Sequence, residues 1–268
     1  MQHRTIAAGA LVAMTVIGYA EAADIGAGKA IAEGVCAACH GVNGVSVAPA
    51  IPNLAGQRPL YIGKQLSAYR EGSRKHRIMG ALAGQLDKAA AADVAAYYGS
   101  LPGAPVGAAN SKPPARFIAK RVKLPADLSG FRHYMTFNHQ GRKELRKVYA
   151  NGAALAAAKA GRELPDGAVI VVEAFKTRPG ADGKPVAGAD GLWLAGARAG
   201  FTAMERQAGW GDDFHPAIRN GNWHYAAFAA DRSPRPNLSQ ASCLACHKPL
   251  AGDSYLFSLK ELKAAAAK

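Results

Sequence analysis

Cysteine is scarce in this chain, with four among 268 residues. All four fall in two copies of C-x-x-C-H, Cys36-Ala37-Ala38-Cys39-His40 and Cys243-Leu244-Ala245-Cys246-His247, so none is left over for a disulfide. Acidic residues are also few, 19 against 33 Lys and Arg, which sets a formal net charge of +14. Long apolar runs are missing. Residues 6–20 are apolar, but the run is shorter than the ~20 residues a spanning helix requires, and no other stretch comes close. No transmembrane anchor is therefore expected in the mature chain. No internal repeat is present, since the two halves differ in composition and in where the motif falls.

The repeated motif is the pattern of covalent c-type haem attachment. Each cysteine adds to a haem vinyl group as a thioether, and the adjacent histidine ligates the iron. A four-cysteine zinc site could use two C-x-x-C pairs, but about 200 residues separate them here. A thioredoxin-like pair gives no reason for the following histidine. Two covalently bound haem c groups are expected, on Cys36, Cys39 and His40 and on Cys243, Cys246 and His247.

His3 and Arg4 precede the apolar run, and Ala20-Glu21-Ala22 fits a small-x-small cleavage site. Residues 1–22 therefore read as a secretory signal, and the mature chain is expected in the periplasm. Cleavage removes one Arg and one Glu, so the charge stays at +14. An exported protein of this charge suits acidic redox partner proteins or anionic lipid headgroups rather than nucleic acid.

Residues 102–124 carry Pro102, Pro105, Pro113 and Pro114, followed by Arg116, Lys120, Arg121 and Lys123. This composition reads as a semi-extended linker with one motif on either side. Residues 23–101 read as helical. Asp24 can cap a helix carrying Ile25, Ile31 and Val35. Leu60, Leu66 and Tyr69 mark a second helix. Asp87 can cap a third, whose Val94, Tyr97, Tyr98 and Leu101 follow helical spacing. Residues 125–268 change character. Segments 131–138, 144–149, 168–175, 192–204 and 223–229 read as strands, and 153–160 as a short helix. The expected fold class is an all-α domain followed by an α+β domain with a mainly antiparallel sheet.

An electron-carrying c-type iron needs a second axial ligand. Met79 is the only methionine between the signal and the linker, and thioether ligation opposite histidine raises the potential. His76 is a nearby rival. His40, Pro52-Asn53-Leu54, Met79 and the segment with Tyr97-Tyr98 resemble a class I cytochrome c over roughly residues 25–101. That resemblance implies a His40/Met79 iron and a proximal histidine supported by the Pro52 backbone.

The second motif ends 21 residues before the C-terminus, with no Met or His after His247. A distal ligand must come from upstream or be missing. His133, His139, His215, His224, Met135 and Met204 are the candidates, and Phe131, Phe137, Phe175, Trp193 and Phe201 could instead form an apolar pocket. Leu164-Pro165-Asp166-Gly167, 169–173, Gly209-Trp210-Gly211, Asn220-Gly221-Asn222-Trp223, the late C-x-x-C-H and Tyr255-Leu256-Phe257 resemble the cytochrome P-460 family, which includes beta-type cytochrome c-prime. This covers roughly residues 125–260. The resemblance implies an open, five-coordinate iron that oxidises hydroxylamine or binds nitric oxide or carbon monoxide. It points to Lys159 as a porphyrin cross-link and calls for a distal carboxylate, for which Glu173 and Glu205 are candidates. The expected activity is haem-dependent oxidation of a small nitrogen species, with electrons passing to the first haem. Gas binding without turnover, or pure electron transfer with both irons six-coordinate, are the alternatives.

Overall fold

The computed structural model describes residues 22–108, 114–216, 218–235 and 238–268. The expected signal, apart from Ala22, and the centre of the expected linker lie outside the described residues.

The N-terminal half is helical. Asp24 opens α1 (Ile25–Ile31), its carboxylate accepting from the Gly26 and Ala27 N–H groups as N-cap residues do. A π-helical turn over Ala32–Cys36 follows and leads into α2 (Ala37–His40). Such wide turns are rare and recur at functional sites. Next come α3 (Pro59–Glu71), α4 (Arg77–Ala83) and α5 (Lys88–Ser100). Asp87 caps α5 through the Ala90 N–H. Helix α4 lacked a legible apolar period, being short and rich in Gly and Ala. Ala32, Ile62, Val94, Ala95, Tyr97 and Tyr98 form the core of this half. Helices α1 and α5 cross so closely that a Cβ on Gly28 would stand 2.0 Å from the Asp93 carbonyl oxygen.

The C-terminal half is built on five antiparallel strands in sequential order. These are β1 (Arg132–His139), β2 (Glu144–Ala150), β3 (Val169–Thr177), β4 (Ala195–Arg206) and β5 (Trp223–Phe228). Helix α6 (Gly152–Lys159) joins β2 to β3, and α7 (Ala241–His247) and α8 (Leu259–Ala266) follow the sheet. Paired residues share a face, so the register separates two surfaces. Ala150, Ile170, Met204 and Tyr225 align across four strands on the inner face, where they are buried with Leu244 of α7 and Leu262 of α8. Val171, Phe201, Ala203, Ala226 and Phe228 lie on the outer face, under Val122, Leu124 and Phe131.

Two expectations change here. Residues 115–124, read as linker from their composition, are packed into the C-terminal half. Phe117 is fully buried and stacks on Phe214 at 6.1 Å, and its carbonyl accepts from the Gln240 N–H. Its proline and basic composition reads as linker, but Phe117, at the end of a short 3-10 turn, and Val122 had apolar surface to bury. The halves are also not separate bodies. Val35 and Ala38 are buried in the same cluster as Phe214 and Leu244, and α4 packs on α7. A Cβ on Gly34 would meet the His215 ring at 3.3 Å.

Gly28→Ala is expected to lower the stability of the helical half by about 1–3 kcal/mol through overpacking. Thermal unfolding followed by circular dichroism should show a lower midpoint, and an unchanged one would mean that α1 and α5 part freely.

Candidate haem centres

Both C-x-x-C-H motifs end on a helical turn, which places Cys at i and i+3 and His at i+4 on one side. The cysteines are all free thiols. Burial pushes Cys36 up to about 12 and Cys243 up to about 11, so neither pair is poised as thiolates. Among the described residues no group of three His, Cys, Asp or Glu converges as a metal site, which removes the four-cysteine zinc reading. Buried neutral sulfurs beside a free imidazole nitrogen fit thioether attachment of haem.

The histidines make the fit specific. His40 Nδ1–H donates to the Pro52 carbonyl at 2.8 Å, as the class I resemblance implied. His247 Nδ1–H donates to the Tyr255 carbonyl at 2.6 Å. Each bond fixes the tautomer and leaves the Nε2 lone pair for a metal. Burial lowers both imidazole pKa values and keeps the rings neutral, with the carbonyl contact opposing it.

Around the first motif, the Asn53 amide donates to the Ala108 carbonyl and its oxygen accepts from the Ser46 N–H. These bonds tie down the loop that carries Pro52. The buried Tyr98 hydroxyl has no nitrogen or oxygen partner and lies beside the Cys36 sulfur. Met79 sits half-buried in the first turn of α4. His76 caps that helix, its Nδ1 accepting from the Met79 N–H at 3.2 Å. One ring nitrogen of the rival ligand is thus already engaged.

Around the second motif the chain turns back on itself. Ser254 and Tyr255 both adopt left-handed backbone, φ 53° and 58°, a costly conformation for non-glycine residues that clusters at functional sites. It returns the Tyr255 carbonyl beneath His247. The His247 ring lies 4.9 Å from both the Tyr225 and Phe257 rings. Asn220, fully buried, donates through Nδ2 to the Tyr225 hydroxyl and to the Leu244 carbonyl, both at 2.9 Å. It locks α7 to β5. Asn220 belonged to a segment quoted only for its resemblance, and its role as a clamp was not legible in the sequence.

The remaining expected site residues separate by sheet face. Glu173 and Glu205 both lie on the outer face, in register with Phe201 and His224. Glu173 accepts from Arg198 Nε at 2.8 Å and from the Tyr149 hydroxyl, and Glu205 accepts from Gln207. Tyr225, against which His247 rests, is on the inner face, so the sheet stands between these acids and the motif. Strand alternation alone could not say which face the motif occupies. Lys159 is exposed in the last turn of α6. Of the aromatic candidates only Phe137 is on the inner face. It is in register with Arg146, beyond which lie Glu144 and, paired with it on β3, Lys176. Glu144 is buried and accepts from Arg146 at 2.8 Å, with Lys176 at 3.7 Å. Burial would raise its pKa, but the two cations outweigh this and hold it below the usual range. Sequence reading missed Glu144; its signal was the alternation that puts it in phase with Val148 and Ala150. Of the candidate distal ligands, His133 and His224 are on the outer face, and His215 abuts Gly34. Met204 is buried in the core, while Met135 and His139 lie on the inner face.

Two helices that each present a cysteine pair and a tautomer-fixed histidine define a c-type cytochrome. The comparisons agree: the Cytochrome c family profile matches residues 25–102 and the Cytochrome P460 profile matches residues 129–258. The chain belongs to the cytochrome c family through its N-terminal half, and its C-terminal half is similar to cytochrome P460. It is 44% identical over 70 residues to cytochrome c-554(548) of Halomonas halodenitrificans, covering 25% of this chain and 84% of that one. It is 46% identical over 87 residues to cytochrome c4 of Thiocapsa roseopersicina, covering 32% of this chain but only 44% of the relative. The solved cytochrome c4 of Acidithiobacillus ferrooxidans is 39% identical, covering 29% of this chain and 49% of that one, with a TM-score of 0.27. Haem c is the cofactor these families imply and electron transfer the role they support. No helix among the described residues is long and apolar enough to cross a membrane.

Asn220→Ala should leave the Tyr225 hydroxyl and Leu244 carbonyl without their donor and cost about 2–3 kcal/mol. Denaturant unfolding should show the loss, and intact mass should show poorer haem loading.

Proposed function

We propose that this chain is an exported, periplasmic two-haem redox protein. A small nitrogen species, hydroxylamine or nitric oxide, meets the C-terminal centre, and electrons leave through the N-terminal one to an external redox protein. The observation that carries this reading is the asymmetry of the centres. Both histidines are held through Nδ1, yet Met79 is the single methionine of residues 23–101 in a half that resembles class I cytochromes c, while no Met or His follows His247 in the sequence. Cys36, Cys39, His40 and Met79 would hold one group, and Cys243, Cys246 and His247 would hold the other. Haem c supplies one-electron exchange at an iron whose potential follows its axial ligands. Joining carrier and reactive domain in one chain gives the electron a high effective concentration of acceptor. The net charge of +14 suits an acidic partner.

Hydroxylamine oxidation releases protons, so a carboxylate must lie within reach. Of the three acids, Glu144 is the one that shares the inner face with Tyr225, against which His247 rests. The outer-face position of those two acids favours a second reading, capture of nitric oxide or carbon monoxide without turnover. Lys159 is retained as the cross-link expected from its place before the Asp166-Gly167 turn, with Lys176 as the lysine on the inner face.

Met79→Ala should lower the potential of the N-terminal haem and open it to carbon monoxide. An unchanged potential, with His76→Ala causing the shift, would assign the ligand to His76. The C-terminal haem should bind nitric oxide in stopped-flow optical spectra of the Met79-intact protein. Hydroxylamine oxidation that is lost in Glu144→Gln supports turnover, and binding without oxidation supports capture. Failure to bind nitric oxide overturns both. Peptide mapping of the Cys243 haem peptide reads directly whether Lys159 or Lys176 is attached.

A further inference from the structure

The contact between α4 and α7 joins the two centres through specific side chains. Arg77 is the first residue of α4, two positions before Met79. Its guanidinium carbon lies 5.2 Å from the Phe257 ring centroid. Phe257 meets the His247 ring edge-to-face at 4.9 Å, with the planes at 71°. Phe257 is 53% exposed, an unusual state for an aromatic side chain that supports a half-buried histidine, and Arg77 is what lies over it. The same guanidinium acts electrostatically on Cys246 and His247. Behind it, Ala38 of one motif and the preceding Val35 share a buried cluster with Leu244 of the other, so the contact is anchored by packing.

We propose that Arg77 is a positioning residue for the C-terminal haem, supplied by the N-terminal domain. It clamps Phe257 against the His247 ring and sets a permanent positive charge beside the second attachment site. A guanidinium is suited to this because it stays charged and stacks on an aromatic face. The charge favours the reduced, more negative state of the nearby centre and so biases where an electron rests between the two. The helix that begins with Arg77 also carries Met79, so a shift of α4 at one centre is felt at the other. The proposal rests on haem being carried at both motifs, but not on what the second haem reacts with.

The test is redox titration of the full-length, haem-loaded protein and of Arg77→Gln, Arg77→Lys and Phe257→Leu, with the two haems resolved optically. Removing the charge should shift the electron distribution between the haems by the difference in its effect on the two, read as a change in the separation of their potentials. Arg77→Gln is expected to lower the C-terminal potential more than the N-terminal one, with the difference shrinking as salt screens it. Arg77→Lys should restore most of the shift, and Phe257→Leu should move the potential in the same direction as Arg77→Gln. No shift, an equal shift of both haems, or a failure of Arg77→Lys to rescue would overturn the proposal. Nitric oxide binding is read on the same samples. Its absence together with an intact Arg77 effect would reject the reactive reading and leave this one standing.

Discussion

The hydrogen bond from a histidine Nδ1 to a backbone carbonyl is the constraint on which both centres depend. It chooses the tautomer, aims the ring and leaves the opposite nitrogen as a lone-pair donor. Much of the surrounding structure supports those two carbonyls. The Asn53 side chain pins the Pro52 loop to Ser46 and Ala108. The left-handed pair Ser254-Tyr255 folds the chain back beneath His247. The two solutions are unrelated in conformation but equivalent in chemistry.

The halves share more than a motif. Gly34 makes room for His215, α4 lies on α7, and Val35 and Ala38 are buried among residues of the sheet domain. A helical carrier domain and a sheet domain could have hung from a flexible connector. Instead the second part of that connector, with Phe117 fully buried, is one of the pieces that complete the core. Relative placement is therefore set by packing, which suits electron exchange over a fixed distance.

In the sheet domain, alternation decides which chemistry is available. Residues one position apart on β3 face opposite ways, so Glu173 belongs to the Arg198 and Tyr149 side while Val172 belongs to the side of the motif. Glu144, at the other end of β2 from Ala150, keeps company with Arg146 and Lys176. Which acid can serve a reaction is a matter of phase as much as of residue type.

Local chemistry was legible from the sequence. The four cysteines and two histidines announce themselves by spacing, the caps at Asp24 and Asp87 by residue type, and the strands by their β-branched and aromatic runs. Five strands, and the helices from Asp24 and Asp87, stand close to where pattern placed them, because backbone hydrogen bonding and side-chain period act over a few residues. What pattern could not carry was anything that depends on two distant segments meeting. The sheet face chosen by α7, the burial of Phe117, the clamp at Asn220 and the stacking of Arg77 on Phe257 all arise from long-range packing, where the partner of a residue lies tens to hundreds of positions away and leaves no local trace.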